Sequence, residues 1–146
     1  MHDEMIYESL SAKSTYEFAK KLGESAKAGD VFCLVGDLGV GKTLFSQGFA
    51  KGMEIDDYVN SPTFTIVQEY RDGRLPLYHF DVYRIEEPEE MEEVGLTDML
   101  YGDGVCLIEW ADLIEELWPE TYTKVMIEKD LEKGFDFREI TLDEMR

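Results

Sequence analysis

Residues Gly36-Asp37-Leu38-Gly39-Val40-Gly41-Lys42-Thr43 match the phosphate-binding pattern G-x-x-x-x-G-K-[ST] and decide the fold. The apolar run Val31–Val35 precedes this stretch and is typical of a strand buried on both faces, and residues 42–51 follow it with helical spacing. Glycines let the backbone turn tightly, so that successive N–H groups point at a phosphate, and the start of the helix adds its dipole. The sequence therefore predicts a strand, a phosphate-binding loop and a helix in direct succession.

The last two positions of this loop have separate predicted roles. The Lys42 ammonium would bridge the β- and γ-phosphates of a nucleotide, and the Thr43 hydroxyl would ligate Mg²⁺. The predicted nucleotide-binding residues of the loop are Gly36, Asp37, Leu38, Gly39, Val40, Gly41, Lys42 and Thr43. Lys42 is also a candidate catalytic residue, because its charge would neutralise charge on the transferred phosphoryl group.

A phosphate-binding loop needs an acidic residue from a neighbouring strand. Glu109 ends the second apolar run, 105–108, and the carboxyl end of such a strand faces the crevice where open α/β sheets bind ligands. Glu109 is therefore predicted to hold Mg²⁺ together with Thr43, or to orient the attacking water as a catalytic residue.

Asp81 is the candidate for the second acidic role. It lies in His79-Phe80-Asp81-Val82-Tyr83-Arg84, on a predicted strand with apolar neighbours, where a lone carboxylate is costly unless it has a partner. A metal, a water or a simple pair with Arg84 or His79 would satisfy it. His79 itself is predicted to be a structural histidine.

Ser61-Pro62-Thr63-Phe64 lies between the predicted helix and a predicted hairpin. Pro62 favours extended geometry at Ser61, and Thr63 then presents a hydroxyl. In nucleotide switches a segment of this kind is ordered by the γ-phosphate and Mg²⁺, so Thr63 is a candidate contact; a simple loop is the alternative interpretation.

The net charge excludes several classes of partner. The 146 residues include 14 basic and 33 acidic side chains, for a net charge of −19. Residues 1–84 carry 9 basic and 13 acidic side chains (−4), and residues 85–146 carry 5 and 20 (−15). A surface this acidic repels phosphate backbones and anionic lipids, so we expect neither autonomous nucleic-acid binding nor membrane binding. The second half instead indicates a solvated or docking face for a basic partner.

The chain is expected to be one cytoplasmic α/β domain over residues 1–146. Its N-terminus is too acidic for a targeting peptide, no apolar run approaches the about 20 residues of a membrane span, and Cys33 and Cys106 lie in apolar runs as expected for buried thiols. The predicted fold is a P-loop NTPase domain with a central, mainly parallel sheet, flanking helices and antiparallel hairpin additions. Predicted strands are 6–10, 31–35, 65–70, 75–83, 105–108, 124–130 and 137–142. The first predicted helix begins at Ser11 or Ser14. Three further helices are predicted at 42–51, 86–101 and 112–117.

Four motifs in order, GDLGVGKT, SPTF, HFDVYR and LIEW, resemble the TsaE (YjeE) family over residues 6–142. These are small bacterial P-loop ATPases of the machinery that makes threonylcarbamoyladenosine in tRNA. The resemblance implies that ATP binds at residues 36–43, that Thr43 and Glu109 hold Mg²⁺, and that Asp81 and SPTF lie near the γ-phosphate. It also implies that Ser11 and Lys133 approach the adenine. The implied partner is a TsaB–TsaD complex, whose repeated turnover the ATP cycle supports.

Two other functions are compatible with a phosphate-binding loop. A small-molecule kinase would use the same loop, but such kinases usually carry an arginine-rich lid, and this chain has five Arg without such an insertion. A non-hydrolysing, nucleotide-gated binding module is the second alternative. Replacement of Glu109 and Asp81 by their amides distinguishes these functions from an ATPase.

Overall fold

One mixed sheet organises the parts of the chain that the computed structural model describes, residues 2–36, 42–56 and 66–145. Its strands are β1 (His2–Ser9), β2 (Val31–Val35), β3 (Val67–Tyr70), β4 (Leu77–Asp81), β5 (Val105–Glu109), β6 (Tyr122–Lys129) and β7 (Arg138–Met145). The strand order is β1-β7-β6-β2-β5-β4-β3. The four central strands β6, β2, β5 and β4 are parallel. The pairs β3–β4, β6–β7 and β7–β1 are antiparallel, so β1 runs in the same direction as the central strands. The predicted fold class is confirmed.

Helices cover the two faces of this sheet. They are α1 (Ala12–Ser25), α2 (Lys42–Gly52), α3 (Glu90–Glu93), α4 (Leu96–Leu100) and a 3₁₀ helix at Ala111–Leu117 with a kink at Ile114. None of the helices in the described ranges is long and apolar enough to cross a membrane.

The apolar residues of the central strands divide between two cores. Phe32 and Leu34 face α1 and α2. They pack in one core with the fully buried Phe45 and Phe49 of α2 and with Met53, which directly follows this helix. Cys33 and its neighbour Val31 point to the other face, where α3, α4 and the 3₁₀ helix pack. This alternation along a strand buried on both faces is the arrangement that the run 31–35 predicts.

Glycines hold α1 and α2 in close contact. A β-carbon on Gly52 of α2 would overlap the carbonyl oxygen of Lys20, and one on Gly23 of α1 would overlap that of Phe49. Because backbone atoms cannot move away as a flexible side chain can, the two helices can approach this closely only with glycine at both positions. The contact fixes the direction of α2, and with it the place of the helix start.

Two local predictions were wrong. The predicted helix 86–101 is two short helices, because Gly95 adopts a left-handed backbone conformation with φ of 87° and breaks the helical path. Of the two predicted starts of the first helix, Ser11 is confirmed and Ser14 is wrong: Ser11 is the N-cap of α1, its hydroxyl accepts the Ser14 N–H at 3.0 Å, and Ser14 lies inside the helix.

Candidate functional site

Three of the predicted site residues lie at the carboxyl ends of neighbouring strands. Asp81 ends β4, Glu109 ends β5, and Gly36 follows β2, which lies on the other side of β5. Asp81 is in register with Glu109, and Glu109 is in register with Leu34. Adjacent strands lie about 4.8 Å apart, so the two carboxylates stand side by side at one edge of the sheet.

The helix that follows the phosphate-binding loop begins over this edge. Lys42 is the first residue of α2, and Thr43, in the first turn, is exposed. Gly36 has φ of 153°, a backbone conformation that residues with a side chain rarely adopt, so glycine suits the point where the chain leaves β2. Asp37, Leu38, Gly39, Val40 and Gly41 lie outside the described residues, as does Thr63.

Glu109 is held inside the protein by two side chains from different elements. Its exposed fraction is 2%, and its Oε2 accepts a hydrogen bond from the Ser46 hydroxyl of α2 at 3.2 Å. The same oxygen lies 2.5 Å from Nε2 of His79, a fully buried residue of β4. Nδ1 of His79 has no hydrogen-bond partner among the described residues, so the contact with Glu109 orients the ring. A buried carboxylate needs such partners, and these two also tie β5 to β4 and to α2.

Asp81 is placed differently from Glu109. It is half-buried, and its Oδ1 accepts the backbone N–H of Tyr83 at 3.0 Å. This local turn directs the chain away from the sheet after β4 and keeps the carboxylate at the edge. The edge thus carries one carboxylate fixed in the interior and one that solvent or a ligand can reach.

Trp110 makes the chain turn sharply after Glu109. It has φ of 61° and ψ of 33°, in the left-handed region that a bulky residue seldom occupies. Its ring packs against that of Tyr83 with centroids 4.6 Å apart. Backbone strain of this kind, of the order of 1–3 kcal/mol, is retained where the surrounding structure requires it and clusters at functional sites.

Ser11 and Lys133 lie at the same edge of the sheet, beyond β2. Ser11 follows β1, and Lys133 lies in the segment that connects β6 to β7. Ser9 of β1 is in register with Arg138 of β7, which is in register with Lys129 at the carboxyl end of parallel strand β6. The Ser11 hydroxyl is engaged as the helix cap, and the Lys133 ammonium lies 5.1 Å from the ring centre of Phe137.

The donor atoms at this edge suit magnesium. Hydroxyl and carboxylate oxygens of Thr43, Asp81 and Glu109 are the hard ligands that Mg²⁺ prefers, and proteins usually hold it by one or two carboxylates together with substrate phosphates. Within the described residues no group of three or more His, Cys, Asp or Glu is arranged to hold a metal ion. The carboxylates and the hydroxyl at this edge fit an ion that is held together with substrate phosphates.

Sequence reasoning did not identify Ser46, and it assigned His79 only a structural role. Ser46 lies three residues after Thr43 and is fully buried between apolar positions of α2. Its position one turn from the predicted phosphate-binding residues was a usable indication, because residues three and four apart share a helix face. The pairing of His79 with Glu109 depends on the register of β4 against β5, which the sequence does not show.

Comparisons with known proteins identify the family and the fold. The model of the family "Threonylcarbamoyl adenosine biosynthesis protein TsaE" matches residues 9–139. The chain is 49% identical over 138 residues to the Bacillus subtilis tRNA threonylcarbamoyladenosine biosynthesis protein TsaE, covering 94% of this chain and 84% of the relative. It is 40% identical over 134 residues to the Treponema pallidum protein of the same name, covering 92% and 96%. The crystal structure of B. subtilis YdiB aligns with a TM-score of 0.85 at 42% identity, covering 100% of this chain and 88% of that one. The chain belongs to the TsaE family, a P-loop NTPase family of tRNA threonylcarbamoyladenosine biosynthesis.

Proposed function

We propose that this protein is a cytoplasmic, Mg²⁺-dependent ATPase that serves as an accessory subunit in tRNA threonylcarbamoyladenosine synthesis. In this role its ATP cycle supports repeated turnover of a TsaB–TsaD assembly. The observation that carries the proposal is the side-by-side placement of Asp81 and Glu109 at the ends of β4 and β5, next to β2, the strand that enters the phosphate-binding loop, with Glu109 hydrogen-bonded to Ser46 of α2.

The residues at this edge divide the chemistry of hydrolysis. The loop 36–43 and the start of α2 would bind the phosphates through backbone N–H groups and Lys42. Bound Mg²⁺ would neutralise charge on the β- and γ-phosphates, with Thr43 and Glu109 as its protein ligands. Asp81, which is in the more accessible position, would accept the hydrogen bond of the attacking water and orient it. Glu109, fixed by His79 and Ser46, keeps its place without reorganising during the reaction.

Partner dependence follows from the positions of the arginines. Phosphoryl transfer often uses an arginine that stabilises charge in the transition state. Arg74 donates to backbone carbonyls of α1, Arg71 to Glu69 and Tyr78, and Arg138 to carbonyls of its own hairpin. Arg84 is the one arginine of the four motifs, and it is exposed on the segment after β4. We therefore expect slow turnover alone and faster turnover in the assembly.

Amide substitutions at the two carboxylates test the ATPase. ATP turnover is measured for Asp81→Asn and Glu109→Gln, alone and with the TsaB–TsaD assembly, against Asp98→Asn and Glu93→Gln as exposed controls on α3 and α4. Loss of an acid–base or positioning group typically lowers a rate about 10²-fold or more, whereas the controls should remain within twofold of the wild type. Unchanged turnover in both site variants would refute the catalytic assignment. Phosphate recovered on a metabolite instead of in solution would identify a kinase.

A further inference from the structure

Within the described ranges 2–36, 42–56 and 66–145, no helix packs on one face of the β6–β7–β1 part of the sheet. Along these strands Val125, Ile127, Ile140 and Leu142 point into the core beside α1 and α2. The alternate positions of these strands point to the opposite face of the sheet and belong to neither hydrophobic core. They are Glu4, Ile6 and Glu8 of β1, Lys124, Met126 and Glu128 of β6, and Glu139, Thr141 and Asp143 of β7. We call these positions the open face. The 3₁₀ helix reaches only its border, where Trp118 packs on Tyr122.

Carboxylates dominate the open face in cross-strand rows. Glu8, Glu139 and Glu128 stand directly opposite one another on three adjacent strands. A second row holds Glu4, Asp143 and Lys124, so the face carries five carboxylates and one ammonium, a net charge of −4. Like charges directly opposite each other destabilise a sheet, and glutamate is a poor strand former. The rows therefore do not serve the stability of this fold, which points to an external role.

Exposed apolar side chains accompany these rows. Ile6 of β1, the outermost strand, lies in the row between the two acidic rows and is 56% exposed. Directly beyond the row of three glutamates, the segment that connects β6 to β7 exposes Leu131 by 70% and Phe135 by 83%. Apolar groups rimmed by charge are typical of surfaces that bind other proteins.

We propose that the open face is the docking surface for a basic protein surface, which in the proposed function belongs to the TsaB–TsaD assembly. The occupant carries Lys or Arg side chains for the rows of carboxylates and an apolar contact for Ile6. A nucleic acid and a second copy of this chain, at net charge −19, are both repelled. A metal ion is disfavoured because no described cluster of His, Cys, Asp or Glu is arranged to bind one. The row of three glutamates lies at the carboxyl end of β6, which is the same end of the sheet as the nucleotide site but on the opposite face, so a partner docked there lies near the site.

Two matched triple variants test this surface. Glu8→Gln/Glu128→Gln/Glu139→Gln removes the row, and Glu17→Gln/Glu24→Gln/Glu93→Gln removes three exposed carboxylates elsewhere with the same change in net charge. Affinity for the TsaB–TsaD assembly is measured by titration at several NaCl concentrations, with ATP turnover of the isolated chain and its melting temperature as further readouts. We expect at least a tenfold loss of affinity and a flatter salt dependence for the first variant, and a change within twofold for the second. Turnover alone and the melting temperature should not fall in the first variant, because removing the row relieves repulsion, nor in the second, because its three carboxylates are exposed.

Each outcome separates the docking surface from the proposed ATPase. Equal affinity of the first variant and the wild type, or an equal loss in both variants, would overturn the docking surface while leaving the ATPase standing. A wild-type chain that hydrolyses ATP but does not bind the assembly would overturn it too. If the chain shows no ATP turnover but binds the assembly in a way that depends on the row, the proposed ATPase activity is refuted and the docking surface is supported. Self-association of the wild type that the first variant abolishes would identify a second copy as the occupant.

Discussion

Replacing His79 with leucine leaves the buried Glu109 carboxylate without the imidazole that lies 2.5 Å from it. Glu109 is 2% exposed and His79 is fully buried, so water cannot take the place of the lost partner. Breaking a buried pair of this kind costs about 3–5 kcal/mol of unfolding free energy. At about 3 °C per kcal/mol for a domain of this size, the melting temperature should fall by roughly 10 °C.

A double-mutant cycle isolates the interaction from the loss of packing. The unfolding free energies of His79→Leu, Glu109→Leu and the double variant are measured by urea denaturation without nucleotide. Because the double variant has no buried carboxylate, we expect it to be more stable than the sum of the single effects predicts, by about 2 kcal/mol. The exposed pair Lys51–Asp56, at 3.8 Å, is the control and should couple by no more than about 0.5 kcal/mol. Single effects at His79 and Glu109 that add within about 0.5 kcal/mol would refute the role of this pair.

Two further predictions concern the helix contact and the buried thiols. Gly52→Ala should lower the unfolding free energy by more than about 2 kcal/mol, because the new β-carbon would overlap the Lys20 carbonyl oxygen of α1. Urea denaturation measures this change, and a loss below about 0.5 kcal/mol would contradict the close contact. Burial raises the pKa of the Cys106 thiol to about 12 and that of Cys33 well above its usual range, so both should resist a thiol reagent at pH 8 until urea unfolds the chain. These thiols stay protonated to a higher pH in the folded state than in the unfolded chain. The free energy of unfolding therefore keeps their full contribution below about pH 8.5 and falls above it by about 1.4 kcal/mol per pH unit for each thiol. The double variant Cys33→Ala/Cys106→Ala should show a weaker dependence of stability on pH.

The sequence predicted the candidate site where local pattern and topology coincide. An apolar run followed by a glycine-rich loop indicates a buried parallel strand, and the carboxyl ends of such strands meet at one edge. This reasoning placed Glu109 at the carboxyl end of its strand, whereas Asp81 was only a candidate for the second acidic role within a predicted strand; the structure places the two residues side by side. The buried stripe of Phe45 and Phe49 followed equally from helical spacing.

The contacts that the sequence did not predict depend on the relation between elements. His79 meets Glu109 because β4 and β5 pair in one particular register, and Ser46 meets it because the close packing of α1 on α2 sets the rotation of α2. Neither the register nor the rotation leaves a periodic pattern in the chain. The break at Gly95 is a different case, since a glycine inside an acidic helical segment was visible and its left-handed conformation is a common way to end a helix.

The placement of negative charge bears on the order in which ligands bind. Glu109 lies at the edge where the proposed triphosphate would bind, so carboxylate and phosphate repel each other unless a cation stands between them. His79 and Ser46 both contact Oε2 of this carboxylate and fix its position. The rows of carboxylates on the open face point away from α1 and α2, to the face of the sheet opposite the one on which Glu109 lies. They therefore add nothing at short range to the repulsion between Glu109 and the phosphates. Nucleotide affinity should therefore depend on Mg²⁺ through Glu109, whereas partner affinity should depend on salt through Glu8, Glu128 and Glu139.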